Sequence, residues 1–275
     1  MRLLKKVAVI GVGLIGGSLA LAIKKRKLAD KVVGTSRHRK NLLLAKRAGA
    51  IDEGSQDIGI IRGADLVIIA VPVNAVLKLA PKIAKIIGPG CIVSDVASTK
   101  QEIVMKLDKV FPRYVGAHPM AGSEKRGIAN SDDKMFNDST CILTPTLKTD
   151  KKALAKIEKL WSCLGAKVIT MPASVHDKAL SFVSHLPHIV AFSLINTVPV
   201  QYLKFASSGL RDTTRIAASD SEIWNDIFLT NRGNVLAAIG LIQKNLASIK
   251  KAIASGNSNS LDRILKTAKK KRDSL

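Results

Sequence analysis

A glycine turn, two histidine-bearing segments and an arginine-bearing one stand apart from the packing material of this 275-residue chain, because their residue types can do chemistry. Gly11-Val12-Gly13-Leu14-Ile15-Gly16 has GxGxxG spacing, and its context gives the pattern force: a strand-like run, Val7 to Ile10, precedes it and a helical run, Ile15 to Lys25, follows. Gly11 permits the tight turn, Gly13 lets backbone approach a pyrophosphate, and Gly16 allows close packing of helix on strand. The helix start at Leu14 and Ile15 offers N–H donors and a favourable dipole to the anion. A nicotinamide-dependent dehydrogenase is the reading this turn supports.

An NAD site places an Asp or Glu on the ribose hydroxyls about twenty residues beyond the glycines, after the second strand. Here Gly34-Thr35-Ser36-Arg37-His38-Arg39-Lys40 contains no acid. Ser36, Arg37 and Arg39 suit a 2'-phosphate instead, so NADP is the expected cofactor, with NAD as the alternative. Val71 and Pro72, where the buried strand Leu66 to Val71 stops, complete the expected cofactor-binding set.

Further along stand Ser94-Asp95-Val96-Ala97-Ser98-Thr99-Lys100 at a strand end, and Gly116-Ala117-His118-Pro119-Met120-Ala121-Gly122 with Ser123 and Glu124 after it. Ser184-His185-Leu186-Pro187-His188, the run Gly209 to Ala217, and Trp224-Asn225-Asp226-Ile227-Phe228 follow. Each has a plainer reading. A histidine before proline is commonly a hydrogen-bonded structural group, Arg215 could be a salt-bridged helix residue, and Asp212 a helix cap. His185 and His188 have helical i, i+3 spacing, yet no carboxylate or cysteine cluster accompanies them, so no metal is expected.

The elements that must position these groups change character along the chain. Up to about residue 172, short β-branched runs alternate with helical patterns, as in parallel βαβ units. The predicted strands are Val7 to Ile10, Val32 to Ser36, Leu66 to Val71, Cys91 to Asp95, Tyr114 to Ala117, Cys141 to Pro145 and Lys167 to Met171. Beyond Pro172 the pattern is helical. A helix from Val175 to Thr197 should be kinked or broken by Pro187. Another, Asn231 to Ala254, carries Val235, Ile239, Ile242, Leu246, Ile249 and Ile253 in a stripe suited to a neighbouring helix, including one from a second subunit. The expected fold is an α/β Rossmann-type doubly wound parallel sheet domain over residues 1–172, followed by an all-α helical dimerisation domain over 173–275.

Composition narrows the class further. With 47% hydrophobic residues the chain can build a core, and its three cysteines, Cys91, Cys141 and Cys163, lack zinc or disulfide-scaffold spacing. A reduced, cytoplasmic setting is expected. The basic start followed by Val7 to Ile23 imitates a signal peptide, but the patterned glycines speak against it. No later run is expected to be long and apolar enough to span a membrane. The net charge of +23 points to anionic partners. Ten Lys/Arg lie between Lys24 and Arg47 and five between Lys266 and Arg272. A basic nucleic-acid-binding redox sensor is the rival this charge raises, but at 4% aromatic residues stacking positions are scarce, and no nucleic-acid partner is expected.

GVGLIGGS, GAHPMAGSE, SHLPH, DTTRIAASD and WNDIF occur here in one order, and together they resemble the prephenate and arogenate dehydrogenases of tyrosine biosynthesis over nearly the whole chain. Another two-domain β-hydroxyacid-type dehydrogenase would share the glycine turn but not SHLPH and DTTRIAASD. The resemblance implies oxidative decarboxylation of prephenate or arogenate and a homodimer formed through the helical domain. It implies His118 as proton acceptor, Ser98 as hydrogen-bond partner of the same hydroxyl, and Arg215 as clamp on a substrate carboxylate. Ser184, His185, His188, Glu124 and Asp212 are then expected around the substrate.

Overall fold

The computed structural model describes residues 3–122 and 127–275; Ser123 and Glu124 of the expected pocket loop lie outside the described residues. The first half is built on an eight-stranded sheet of order β3-β2-β1-β4-β5-β6-β7-β8. In chain order these are β1 (Leu4–Ile10), β2 (Ala29–Thr35), β3 (Glu53–Ser55), β4 (Leu66–Ile69), β5 (Ile92–Asp95), β6 (Tyr114–Pro119), β7 (Thr140–Leu143) and β8 (Lys167–Thr170).

Strands buried on both faces need apolar residues at every position. In β1, Val7 and Val9 face one core with Leu19 and Ile23 of α1 (Leu14–Lys25), while Ala8 and Ile10 face the other. β4 repeats this, Leu66 and Ile68 against Val67 and Ile69. The α1 face also receives Leu42 of α2 (Arg39–Arg47). The opposite face is closed by Val76 and Ile83 of α3 (Val73–Ala84) and Ile103 and Leu107 of α4 (Gln101–Leu107). Ile157, Leu160 and Trp161 of α5 (Lys151–Cys163) complete the α1 side. The sheet is doubly wound, with the strand order reversing between β1 and β4.

Two features of the sheet depart from the sequence reading. β3, only three residues and polar, pairs with β2 at the edge and carries too little pattern to be seen. β7 runs antiparallel to β6, where parallel strands are predicted. The described residues of the connection between them hold no crossover α-helix and fold back over α1, with Ile128 and Phe136 buried and Asp132 N–H donating to Ser18 Oγ at 3.0 Å.

From Ala173 onward the described chain is helical: α6 (Ala173–Leu180), α7 (Leu186–Thr197), α8 (Ser208–Thr214), α9 (Ser221–Thr230), α10 (Arg232–Ala254) and α11 (Ser258–Arg272). Pro187 does not end the long helix. One π turn, Ser181–His185, joins α6 to α7, so the proline falls in the first turn of α7, where its missing N–H is tolerated. The joined helix Ala173–Thr197, 25 residues containing an 18-residue window with a mean hydropathy of 1.3, is long and apolar enough to cross a membrane by length and composition. That corrects the expectation of no such run, because the stretch looks long only once Pro187 is carried inside it. Only 22% of its apolar window is buried. Val183, Val200, Phe205, Leu246 and Ile253 are likewise exposed, and burial of each would gain roughly 1.5–3 kcal/mol. The stripe on α10 is therefore only partly used within one chain.

Candidate active site

The carboxyl ends of β2, β1, β4, β5 and β6 lie side by side, and the expected groups follow them in that order: Ser36, the glycine turn, Val71, Ser98, His118. Gly11 has φ +96°, and a Cβ there would stand 2.3 Å from the Ala70 carbonyl oxygen. A Cβ on Gly16 would stand 2.1 Å from the Gly11 carbonyl oxygen, so helix and turn touch through bare backbone. Gly13 differs, since a Cβ there would meet nothing within 4 Å. This open space lies at the start of α1, beside Leu14 and Ile15, and fits a pyrophosphate held by helix N–H groups. Val71 packs toward Gly11, and Pro72 caps α3 next to it. Arg37 and Arg39 are exposed, and Ser36 Oγ accepts the His38 N–H at 3.2 Å.

The loop bearing Ser98 is tied down by buried charge. Asp95 and Lys100 are both fully buried and form an ion pair. Asp95 also accepts the Tyr114 hydroxyl at 2.6 Å and the Ala97 N–H at 2.9 Å. Breaking such a pair from one side costs about 3–5 kcal/mol, so the loop is held in one shape. Ser98 is half-buried on it.

His118 is buried near the end of β6, opposite Ile142 of β7. Its Nδ1 lies 2.8 Å from His176 Nε2, and His176 Nδ1 lies 2.7 Å from Asp177 Oδ1. Burial above all, then the basic neighbours His176, Lys100 and His185, holds His118 well below the usual imidazole range. It is therefore a neutral ring at physiological pH.

The helical half contributes side chains from several turns. His185, buried on the π turn, takes a 3.2 Å contact at Nδ1 from the amide nitrogen of Asn231, which also donates to the Asp177 carbonyl at 2.7 Å. Its Nε2 is sealed from solvent and has no hydrogen-bond partner among the described residues. An amide NH2 only donates, so Nδ1 accepts and Nε2 carries the proton. Burial lowers His185 to about 4. His188 Nδ1 donates to the Ser184 carbonyl at 2.9 Å, and the ring stacks on Trp224 with centroids 3.5 Å apart. Burial lowers His188 too, and the Arg215 charge adds to the effect, so Arg215 and His188 share one neighbourhood. Arg215 and Asp212 are exposed on the segment beside it. Among the described residues, no group of three or more His, Cys, Asp or Glu side chains is arranged to hold a metal ion.

The two halves are stitched across the cleft. Asn74 at the start of α3 donates to Asp226 at 2.5 Å, Thr99 meets Thr230 at 2.9 Å, and the N–H groups of Lys100 and Gln101 donate to Asp177 at 2.8 Å each. Sequence reasoning singled out neither His176, Asp177, Asn231 nor the anchoring role of Lys100. A His-Asp pair inside an apolar helix is the only trace they leave, and nothing in the spacing ties His176 to a histidine 58 residues away.

Comparison with known proteins converges on one family. The model of the prephenate dehydrogenase nucleotide-binding domain matches residues 19–170, and that of the prephenate dehydrogenase dimerization domain matches residues 172–267. Prephenate dehydrogenase of Bacillus subtilis is 37% identical over 281 residues, covering 98% of this chain and 76% of that protein. Cyclohexadienyl dehydrogenase of Zymomonas mobilis is 33% identical over 288 residues, covering 100% of this chain and 97% of that protein. Among solved structures, prephenate dehydrogenase from A. aeolicus in complex with hydroxyphenyl propionate and NAD+ matches with a TM-score of 0.93 at 35% identity, over 98% of each chain.

Proposed function

This chain belongs to the prephenate dehydrogenase family, and from that premise we propose which of its groups carry the reaction. It is an NAD(P)-dependent oxidoreductase of tyrosine biosynthesis, converting prephenate to 4-hydroxyphenylpyruvate or arogenate to tyrosine by oxidative decarboxylation. Hydride leaves the ring carbon that bears the 4-hydroxyl, the hydroxyl gives up its proton, and loss of carbon dioxide makes the ring aromatic. The bound nicotinamide supplies the hydride acceptor. The chain itself must grip the ring, steer it and take the proton.

His118 takes that proton at Nε2. The observation that carries this reading is a neutral, buried imidazole at a strand end on the same edge of the sheet as the glycine turn, with Nδ1 already engaged. Ser98, from the adjacent strand end, hydrogen-bonds the same hydroxyl. Arg215 clamps a substrate carboxylate with its paired donors. His185 donates its Nε2–H to the substrate, and Ser184, His188, Asp212 and Glu124 line the pocket around it.

Gly11, Gly13, Leu14, Ile15, Gly16, Val71 and Pro72 hold the dinucleotide, and Ser36, Arg37 and Arg39 favour NADP over NAD through the 2'-phosphate. The two working units are residues 1–172 and 173–275. The exposed apolar side chains of Ala173–Thr197 and α10 are subunit surface in a cytoplasmic homodimer rather than membrane surface; the dimerization-domain match over residues 172–267 supports this. Neither a membrane nor a nucleic acid is a partner.

A spectrophotometric matrix of prephenate and arogenate against NAD and NADP tests the whole reading. Reduced cofactor should form with at least one of the two substrates, faster with NADP at limiting concentration. His118→Ala should lower kcat by about a thousandfold with cofactor Kd unchanged; turnover in that variant close to the parent's would remove His118 from its role.

A further inference from the structure

We propose that His176 and Asp177 are positioning residues that hold His118 in the one tautomer able to accept a proton, and that they bear part of the charge it gains. The proposal rests on His118 being the proton acceptor.

Asp177 is buried at the start of the helical half, and its oxygens accept the N–H groups of Lys100 and Gln101 at 2.8 Å each. An ionised carboxylate only accepts. The third contact, His176 Nδ1 to Asp177 Oδ1 at 2.7 Å, therefore requires the proton on His176 Nδ1. If His176 carries only this proton, an acceptor alone is left at its Nε2. His118 Nδ1, 2.8 Å away, must be the donor, and its own lone pair is driven to Nε2. One carboxylate thus sets two rings in series. In the opposite arrangement His118 would present an N–H to the substrate hydroxyl and could not take its proton.

Burial makes this control strict. His176 is 0% exposed, Asp177 1% and His118 9%, so bulk solvent does not compete for His176. Among the described residues the charged or titratable neighbours are Asp95 at the end of β5, Lys100 from the loop after it, Tyr114 on β6, Cys141 on β7 and His185 on the π turn. The Lys100 ammonium is already committed to Asp95. Asp177 is thus the carboxylate joined to His118 through hydrogen bonds.

The proton traffic balances. As hydride leaves with its electron pair for the nicotinamide, the O–H bond breaks, its pair forms the C=O bond, and the proton binds His118 Nε2. The Nδ1–H bond to His176 becomes charge-assisted and strengthens at that moment. When carbon dioxide departs, the pair it leaves behind aromatises the ring, and the oxygen, now a phenolate, retrieves the proton. The pair behind His118 has to hold charge only for that interval.

Two measurements on the full-length enzyme with bound NADP+ test this. In wild-type protein labelled with 15N at its five histidines, with His118 assigned by its loss in His118→Gln, the ring should carry its proton on Nδ1. Separately, His176→Leu should lower kcat by about a hundredfold or more, as expected when a base loses its orienting partner, with substrate KM and cofactor Kd within about twofold. His176→Gln, whose carbonyl can accept the same Nδ1–H, should recover at least about tenfold of that loss. A proton on Nε2 in the wild-type spectrum overturns the proposal even where the leucine variant fails to fold. So does a leucine variant whose kcat stays near the parent's, or one whose loss lies in cofactor affinity. Survival of turnover in His118→Ala would fell the premise instead, and it reads independently of the tautomer.

Discussion

The sheet half delivers its share of the cleft largely through backbone, at the carboxyl ends of β2, β1, β4, β5 and β6, where strand register fixes each turn to within a residue. The helical half delivers side chains alone: His185 from a π turn, His188 stacked on Trp224, His176 and Asp177 from α6. The sheet seals both of its cores within one chain, whereas the π turn and α10 leave Val183, Leu246 and Ile253 in solvent. Binding of the dinucleotide is thus a matter of local geometry. Recognition of the reacting molecule, as proposed, is a matter of packing between elements.

The sharpest test of the contrast is a residue whose Cβ touches nothing in the protein. Gly13→Val should fold normally, since no atom lies within 4 Å of the added Cβ, yet raise cofactor Kd by about a hundredfold or more by filling space meant for the pyrophosphate. Calorimetric titration with NADP+ reads this, and an unchanged Kd would break the backbone half of the comparison. On the helical side, Arg215→Ala should raise substrate KM by about ten- to a hundredfold, the scale of one charge-assisted contact, while cofactor Kd holds. Steady-state kinetics decide, and an unchanged KM would take the clamp away from Arg215.

A smaller effect is expected where side chains, not backbone, act on the sheet half. Arg37→Ala combined with Arg39→Ala should raise the KM for NADP by about tenfold and leave that for NAD nearly unchanged. Equal changes for both cofactors would sink the 2'-phosphate role. Leu246→Asp with Ile253→Asp should shift equilibrium sedimentation from the dimer mass to the chain mass, because charge replaces apolar surface at the proposed interface.

The gentlest test is pH. His118 and His185 lie below 6.5 in the folded chain, His185 at about 4. Between pH 6.5 and about 4, the unfolded chain binds protons there that the folded chain refuses, so stability is fully present above pH 6.5 and falls with pH through that window. Thermal melts should show Tm declining below pH 6.5, and His185→Asn should flatten part of the slope. A Tm that held level from pH 7 to 4 would contradict the burial of these rings.

By itself the sequence determined the dinucleotide turn, because Gly11, Gly13 and Gly16 act through local backbone geometry that residue type alone dictates. It also determined most strands, the helical second half, and the order of His118, Ser98 and Arg215 along the chain. It could not determine the antiparallel β7, whose direction depends on where a loop folds back over α1. Nor could it carry Pro187 through the long helix, since a π turn shows no residue signature here. Least of all could it join His118 to His176 and Asp177. That junction exists because α6 packs its polar pair against the ends of β6 and α4, and a contact made by packing leaves no periodicity to read.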